Sequence, residues 1–271
     1  MLLSVSWIVL ASYFVTALFY WKQFINENKD AANKTYYWLI ISVSLHFAFI
    51  IYFIVDVSRI PIGTVSESIH TFVWITATLY LFLELSLKEH SHGALILSLM
   101  VILLFISNFS FSISQNINPI LYDVGFETHV FAMLLAYSAF MLSFIACVLH
   151  LLLSNEIKKK ELGIFFRRLP SLLYFERVSD YSVNIGLFFL SLGFILGFYS
   201  ATQVWDAGIM TDPKIVTVLI TGIIYFLYFI GRKRGVLRGY RAAIISIIGF
   251  ITILVSFLII SQLIPTSHHF G

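Results

Sequence analysis

The chain has 271 residues, of which 59% are hydrophobic and only 11% charged, and its mean hydropathy is +0.92. That composition excludes a soluble globular domain, and a formal net charge of +3 held in short basic loops gives no reason to expect a nucleic-acid partner. The partner the composition names is the lipid bilayer.

A hydrocarbon core about 30 Å thick takes roughly 20 apolar residues per crossing. Eight such segments follow one another, at about 2–21, 36–57, 71–87, 93–113, 129–153, 181–203, 214–231 and 242–264. The fold class predicted is an all-α polytopic membrane protein with eight transmembrane helices, a single integral domain over 1–271. The first segment has no basic stretch before its apolar run and no small-residue cleavage site before "YWKQF", so it reads as a retained helix. The second carries His46 ten residues in from Tyr36, roughly 15 Å deep. An ionisable residue at that depth is a functional candidate by default; the alternative is a neutral imidazole bonded to Ser42 or to another helix. In the third, Glu84 lies between Leu83 and Leu85 and is expected to snorkel toward Lys88, a favourable i, i+4 pair. His70, His90 and His92 sit at loop borders and read as solvated; His70 is the one of the three that could join an outward site. The fifth segment holds His129 and His150 near its ends, with Cys147, the single cysteine, between them. With no second thiol, a disulfide within the chain is excluded. Gly193 and Gly197 give a GxxxG spacing, with Gly186 preceding them, which reads as packing inside the subunit or as a homodimer seam.

Cytoplasmic loops carry the excess of Lys and Arg. The connections after segments one, three, five and seven hold fifteen of the seventeen basic residues, and Arg59 and Lys214 are the two on the other side. Both termini are therefore expected to face outward, and residues 155–180 form a basic cytoplasmic loop suited to anionic lipid or a cytosolic partner. The locations of the histidines then become geometric. Twenty-one residues separate His129 from His150, about 31 Å along a helix, so the two lie at opposite membrane faces. The chain finishes in "IPTSHHFG" on the same side as His129, which brings His268 and His269 within reach of it. Two outward imidazoles above apolar walls suit bis-histidine ligation of a haem iron; the alternative is that they are interfacial and tail residues.

The segment "HVFAMLLAYSAFMLSF" resembles a His-Val, Ala-Tyr-x-x-Phe stretch of the cytochrome c assembly protein family, which groups CcsA-type and CcmC-type haem-handling proteins with HemX proteins. "TDPKIVTVLITGIIYFLYFIGRKRGVLRGYRAAIISIIGF" resembles the family's downstream string, and "ESIHTFVWITATLYLFLE", "RRLPSL" and "GLFFLSLGFILG" follow its order from about residue 36 onward. The resemblance implies non-covalent haem b, with iron ligands at His129 and at His268 or His269, and a pocket that takes in Trp205, Asp212, Tyr137 and Met133. His46 is a second candidate membrane site, for another haem or for proton shuttling.

Two departures from the family are large. In "ATQVWDAGIMTDPK" the tryptophan-rich haem cradle is reduced to Trp205 and the Asp212, Pro213, Lys214 tripeptide, with Thr211 where a tryptophan is expected. Ile230 stands where CcsA-type proteins carry a membrane-embedded histidine. Both losses weigh against cytochrome c synthase activity and are what HemX proteins look like. The resemblance then implies a haem-binding plasma-membrane protein that lowers the abundance of glutamyl-tRNA reductase and so restrains haem biosynthesis, through direct or indirect contact with that enzyme. The alternative is a haem transporter or a haem-handling factor for cytochrome c assembly. No Walker A, GxSxG, HExxH or dinucleotide-binding signature occurs, and no enzymatic activity is expected.

Overall fold

Long apolar runs leave the backbone one way to satisfy its own hydrogen bonds in lipid, which is within each segment as a helix. The computed structural model describes residues 1–26, 29–90, 92–111, 122–160, 163–204 and 213–256. Over these residues the chain is helical, with no strand: α1 (Leu2–Asn26), α2 (Lys29–Val57), α3 (Val65–Leu87), α4 (Gly93–Phe109), α5 (Val124–Lys159), α6 (Ile164–Arg168), α7 (Leu172–Val204), α8 (Pro213–Lys233) and α9 (Gly239–Val255). Six of them, α1, α2, α3, α5, α7 and α8, are long and apolar enough to cross a membrane, and α4 and α9 are shorter apolar helices.

Most helices overrun the apolar windows that announce them, because a window marks hydrocarbon depth while the helix continues into polar ends. The clearest case is the stretch expected to be a loop at 155–180. Helix α5 runs on through Lys159, α6 occupies Ile164–Arg168 and α7 begins at Leu172, so much of the basic segment is helical. Lys158 and Lys159 lie in the last turn of α5, where cations complement the helix dipole.

The ends are set by local chemistry. Thr64 caps α3, its side-chain oxygen accepting from the Glu67 backbone N–H at 3.2 Å, and Asp123 caps α5 in the same way through Phe126 N–H at 2.9 Å. Lys88 and Lys160 end α3 and α5 in left-handed conformations. Gly235 and Gly239 adopt φ of +70° and +52° in the turn between α8 and α9, a region that glycine enters without a Cβ penalty.

The helices form two compact units. One comprises α1–α4 and α6, the other α5 and α7–α9. In the first, α1 packs on α2 and α4, and α3 packs on α4 and α2; Tyr13, Tyr20, Tyr80, Phe49, Phe53, Leu97 and Met100 fill its interior. In the second, α5 lies against α7 and α9, while α8 packs on α9 and α7. The apolar window of α5 is 78% buried against 28% for that of α7, so α5 is lined by protein and α7 presents much of its surface to lipid. Phe140 of α5 stacks on Tyr225 of α8 with ring centroids 3.7 Å apart.

Candidate functional site

His129 stands in the second turn of α5, half-buried, with its ring against α7. Its Nδ1 lies 2.6 Å from the Gly193 carbonyl. A carbonyl can only accept, so Nδ1 carries a proton, and in the neutral form of the ring the lone pair is then on Nε2. Ligating histidines are commonly held this way, with the remote nitrogen tied to a carbonyl so that the ring orientation is fixed. Gly197, one turn along α7, makes the approach possible: a Cβ there would fall 2.3 Å from His129 Cε1. The GxxxG pair therefore has a specific use, seating an imidazole on α7.

The donor set on this helix fits a haem axial position. Met133 is buried and Tyr137 half-buried on the same helix, and the Met133 Sδ would be 2.8 Å from a Cβ at Gly193, so Met133 packs on the same stretch of α7 as the histidine. Trp205, Asp212, His268 and His269 lie outside the described residues, as does Thr211. Among the described residues no three His, Cys, Asp or Glu side chains converge as they would around a bare metal ion.

His46 is fully buried in the other unit, and not with the partner expected one turn away. Ser42 instead pairs with Thr16 at 2.9 Å. The His46 Nδ1 is 3.4 Å from the Tyr13 hydroxyl and its Nε2 is 3.4 Å from His70 Nδ1. His70 Nε2 in turn is 3.0 Å from Asn108 Oδ1. The expectation that His70 is solvated at a loop border is thus corrected: it has no exposed surface. The reason is that α3 begins at Val65, well before its apolar window, which carries residue 70 into the bundle.

Glu84 also departs from its expected role. It does not snorkel to Lys88 but is fully buried, accepting from Tyr20 at 2.8 and 2.7 Å and paired with His90 Nδ1. Internal hydrogen-bond donors make burial cheaper for the carboxylate than a path to solvent. His92 is buried as well, against the Tyr80 ring. His150 is 4% exposed, with Nδ1 3.3 Å from the Leu172 carbonyl, so it is packed against the start of α7, because α5 runs on past it to Lys159.

The Glu84 contact holds His90 above the ordinary histidine pKa. A raised folded-state value contributes stability that is complete below the unfolded pKa and is lost as pH rises through the folded one. Thermal stability in detergent is therefore expected to fall as pH rises from about 6.5 through that raised value, and the slope is expected to flatten in His90→Gln. An unchanged slope in the variant would show that other groups set it.

Sequence reading missed a second polar system, in the α5 and α7–α9 unit. Arg232 donates to both Asp180 oxygens, at 2.7 and 2.6 Å, and to Glu176 at 2.7 Å. Tyr228 bridges Asp180 at 2.9 Å and the Ser179 hydroxyl at 2.8 Å. Ser143 meets both Ser179 and Ser246 at 2.8 Å, and the buried Cys147 thiol lies 3.3 Å from Ser179. The signal for it was present: Glu176 and Asp180 are one turn apart near the start of a helix, and Arg232 ends another. Counting basic residues for orientation hid a carboxylate clamp.

A family model described as "Cytochrome C assembly protein" matches residues 62–268. The chain is 24% identical over 253 residues to "Protein HemX" of Bacillus subtilis (strain 168), covering 93% of this chain and 92% of that protein. It is likewise 24% identical over 247 residues to "Protein HemX" of Brevibacillus brevis, covering 91% of each. "Cytochrome c biogenesis protein CcsA" of Chlorella vulgaris is 24% identical over 249 residues, covering 80% and 79%. The matched span takes in α3 to α9 and both the His129 seat and the carboxylate clamp, and on that extent the chain belongs to the cytochrome c assembly protein family.

Proposed function

We propose that this protein crosses the plasma membrane eight times with both termini outward, binds haem b non-covalently on its outer side, and restrains haem biosynthesis by lowering the abundance of glutamyl-tRNA reductase. The observation that carries the haem reading is the His129 seat, in which the Gly193 carbonyl fixes the ring tautomer and Gly197 leaves room for the ring. Residues of this chain would hold the group through His129 Nε2 and through His268 or His269. Met133 and Tyr137 would pack beside it, as would Trp205 and Asp212. When bound, the haem supplies a redox-active iron whose visible bands report its ligands. The protein's own part is to orient one imidazole and exclude water; no catalytic step is assigned to it.

The regulatory reading is supported by nearly full-length similarity to HemX proteins, and the basic segment that includes α6 is its docking surface for the reductase or for a protein that acts on it. A rival reading, a haem transporter or cytochrome c assembly factor, draws on the similarity to CcsA. The protein purified in mild detergent is expected to show sharp reduced bands of six-coordinate haem b, lost or broadened in His129→Ala and in the paired His268→Ala, His269→Ala variant. A colourless protein that stays colourless after haem is added would sink the haem reading. Deleting the gene separates the two readings: raised reductase and porphyrin with intact c-type cytochromes supports regulation, whereas loss of covalent haem c supports assembly.

A further inference from the structure

The clamp between α7 and α8 does not use every polar group gathered around it. Asp180, Asn184, Tyr228, Phe229, Arg232 and Lys233 line an open cleft of about 240 Å³ between the two helices. Sites that enclose a whole small molecule usually hold roughly 300–1,000 Å³, so this cleft takes a headgroup and leaves the rest of its ligand outside. The surroundings are apolar: the membrane windows of α7 and α8 are only 28% and 22% buried, and Phe188, one turn beyond Asn184 on the same face of α7, is 64% exposed.

Asp180, Lys233 and Asn184 keep hydrogen-bonding capacity toward the cleft. Arg232 gives all but one of its N–H donors to Asp180, Glu176 and the Leu237 carbonyl, which fixes the Asp180 carboxylate by a two-pronged contact. Asp180 Oδ1 accepts from Arg232 and Tyr228, whereas Oδ2 accepts from Arg232 alone and so holds a further lone pair; 34% of the side chain is exposed. The Lys233 ammonium lies 5.0 Å from the centre of the Phe229 ring and pairs with no carboxylate among the described residues. Asn184 is exposed one turn past Asp180, about 6 Å deeper along α7, and its amide meets no protein partner among the described residues. Polar side chains on membrane helices ordinarily face the protein interior. An amide turned to lipid is unfavourable unless something outside the chain bonds it.

We infer that this cleft binds one phospholipid whose headgroup carries a primary amine as well as a phosphate, with phosphatidylethanolamine as the simplest example. The groups stand in the order that such a lipid presents them. Lys233, at the end of α8, meets the phosphate; Asp180 Oδ2 accepts from the amine; Asn184, a turn deeper, donates to an ester carbonyl; and the acyl chains run on over Phe188 and the apolar faces beyond it. Charge decides the headgroup. Asp180 and Glu176 offset Arg232 and Lys233, so the site is neutral with both signs displayed, and a headgroup that also displays both signs complements it better than a purely anionic one. A second copy of this chain is the other occupant that an exposed asparagine suits, since amides pair across membrane helices, but a concave cleft with a carboxylate and an ammonium at its mouth matches a headgroup and not another helix face.

The inference rests on the reading that α7 and α8 cross the bilayer, and its test is independent of haem. Purified protein, stripped of lipid in mild detergent, is offered phosphatidylethanolamine or phosphatidylglycerol of the same acyl chains at equal concentration and observed by native mass spectrometry. One phosphatidylethanolamine is expected to stay bound at activation energies that remove phosphatidylglycerol. Its retention is expected to fall several-fold in Asn184→Leu and in Lys233→Gln, each of which changes an exposed side chain and removes no packed group. Equal retention of the two lipids, or unchanged retention in both variants, would overturn the site. A two-chain species in wild type that Asn184→Leu dissociates would overturn it in favour of a second copy. The haem bands, read on the same samples, are expected to be the same in both variants as in wild type, so failure here leaves the His129 reading standing.

Discussion

Gly197→Ala is expected to abolish or broaden the reduced haem bands although every candidate ligand remains in place. The added Cβ falls 2.3 Å from His129 Cε1 and 2.4 Å from Nδ1, separations that no real carbon tolerates, so the imidazole has to leave its seat. Once it does, the bond to the Gly193 carbonyl is lost, and with it the constraint that keeps the proton on Nδ1 and the lone pair on Nε2. Overpacking of this kind costs about 1–3 kcal/mol, which a denaturant titration reads as a lower midpoint. Gly193→Ala is the control within the same motif. Its Cβ would meet Met133 Sδ at 2.8 Å and the Met133 backbone nitrogen at 3.3 Å, the first on a flexible side chain that can turn aside and the second asking for a shift of a few tenths of an ångström. The alanine at 193 should therefore keep the spectrum, and equal loss in both variants would mean that the motif packs helices and does not specifically seat a ligand.

The sequence made the helices legible because their cause is compositional: an apolar run in lipid has one backbone solution. It made His129 legible as a residue but not its function-bearing contact, since Gly193 and Gly197 lie more than sixty positions away and the GxxxG pattern does not say which side chain it admits. The inner histidines failed for a related reason. His70 looks like a loop-border residue when the helix is taken to begin with its apolar window, and a start a few residues earlier turns a solvated ring into a core one; His92 does stand at the start of α4, as expected, and is buried there against Tyr80. Glu84 shows the limit of reading along one helix. The i, i+4 rule named Lys88, whereas the partners that hold it, Tyr20 and His90, come from another helix and from the loop that follows α3. A usable clue was nevertheless present on α1, where Tyr13, Thr16 and Tyr20 recur at helical spacing. A polar stripe on a membrane helix marks a protein-facing side, and its partners had to be sought on neighbouring helices.

Glu67→Ala is expected to cost more stability than a cavity alone, about 3–5 kcal/mol, because it leaves an uncompensated buried charge. Arg59 and Glu67 have no exposed side-chain surface, and the pair is two-pronged, at 2.5 and 2.9 Å. Glu67 also accepts from the Gly63 backbone N–H at 2.7 Å, while its own N–H is held by the Thr64 cap. Removing the carboxylate therefore strands the guanidinium beside the Phe53 ring and releases the loop that starts α3. The double variant Arg59→Met, Glu67→Leu removes both charges together, and replacements of that type are often neutral or stabilising. It is expected to unfold at a denaturant concentration close to wild type, and a double variant no better than Glu67→Ala would show that the cap, and not the stranded charge, carries the loss. The cap has a reach beyond stability, because His70 lies one turn past Glu67 on the same helix. If α3 frays at its start, His70 loses its alignment with His46 and Asn108.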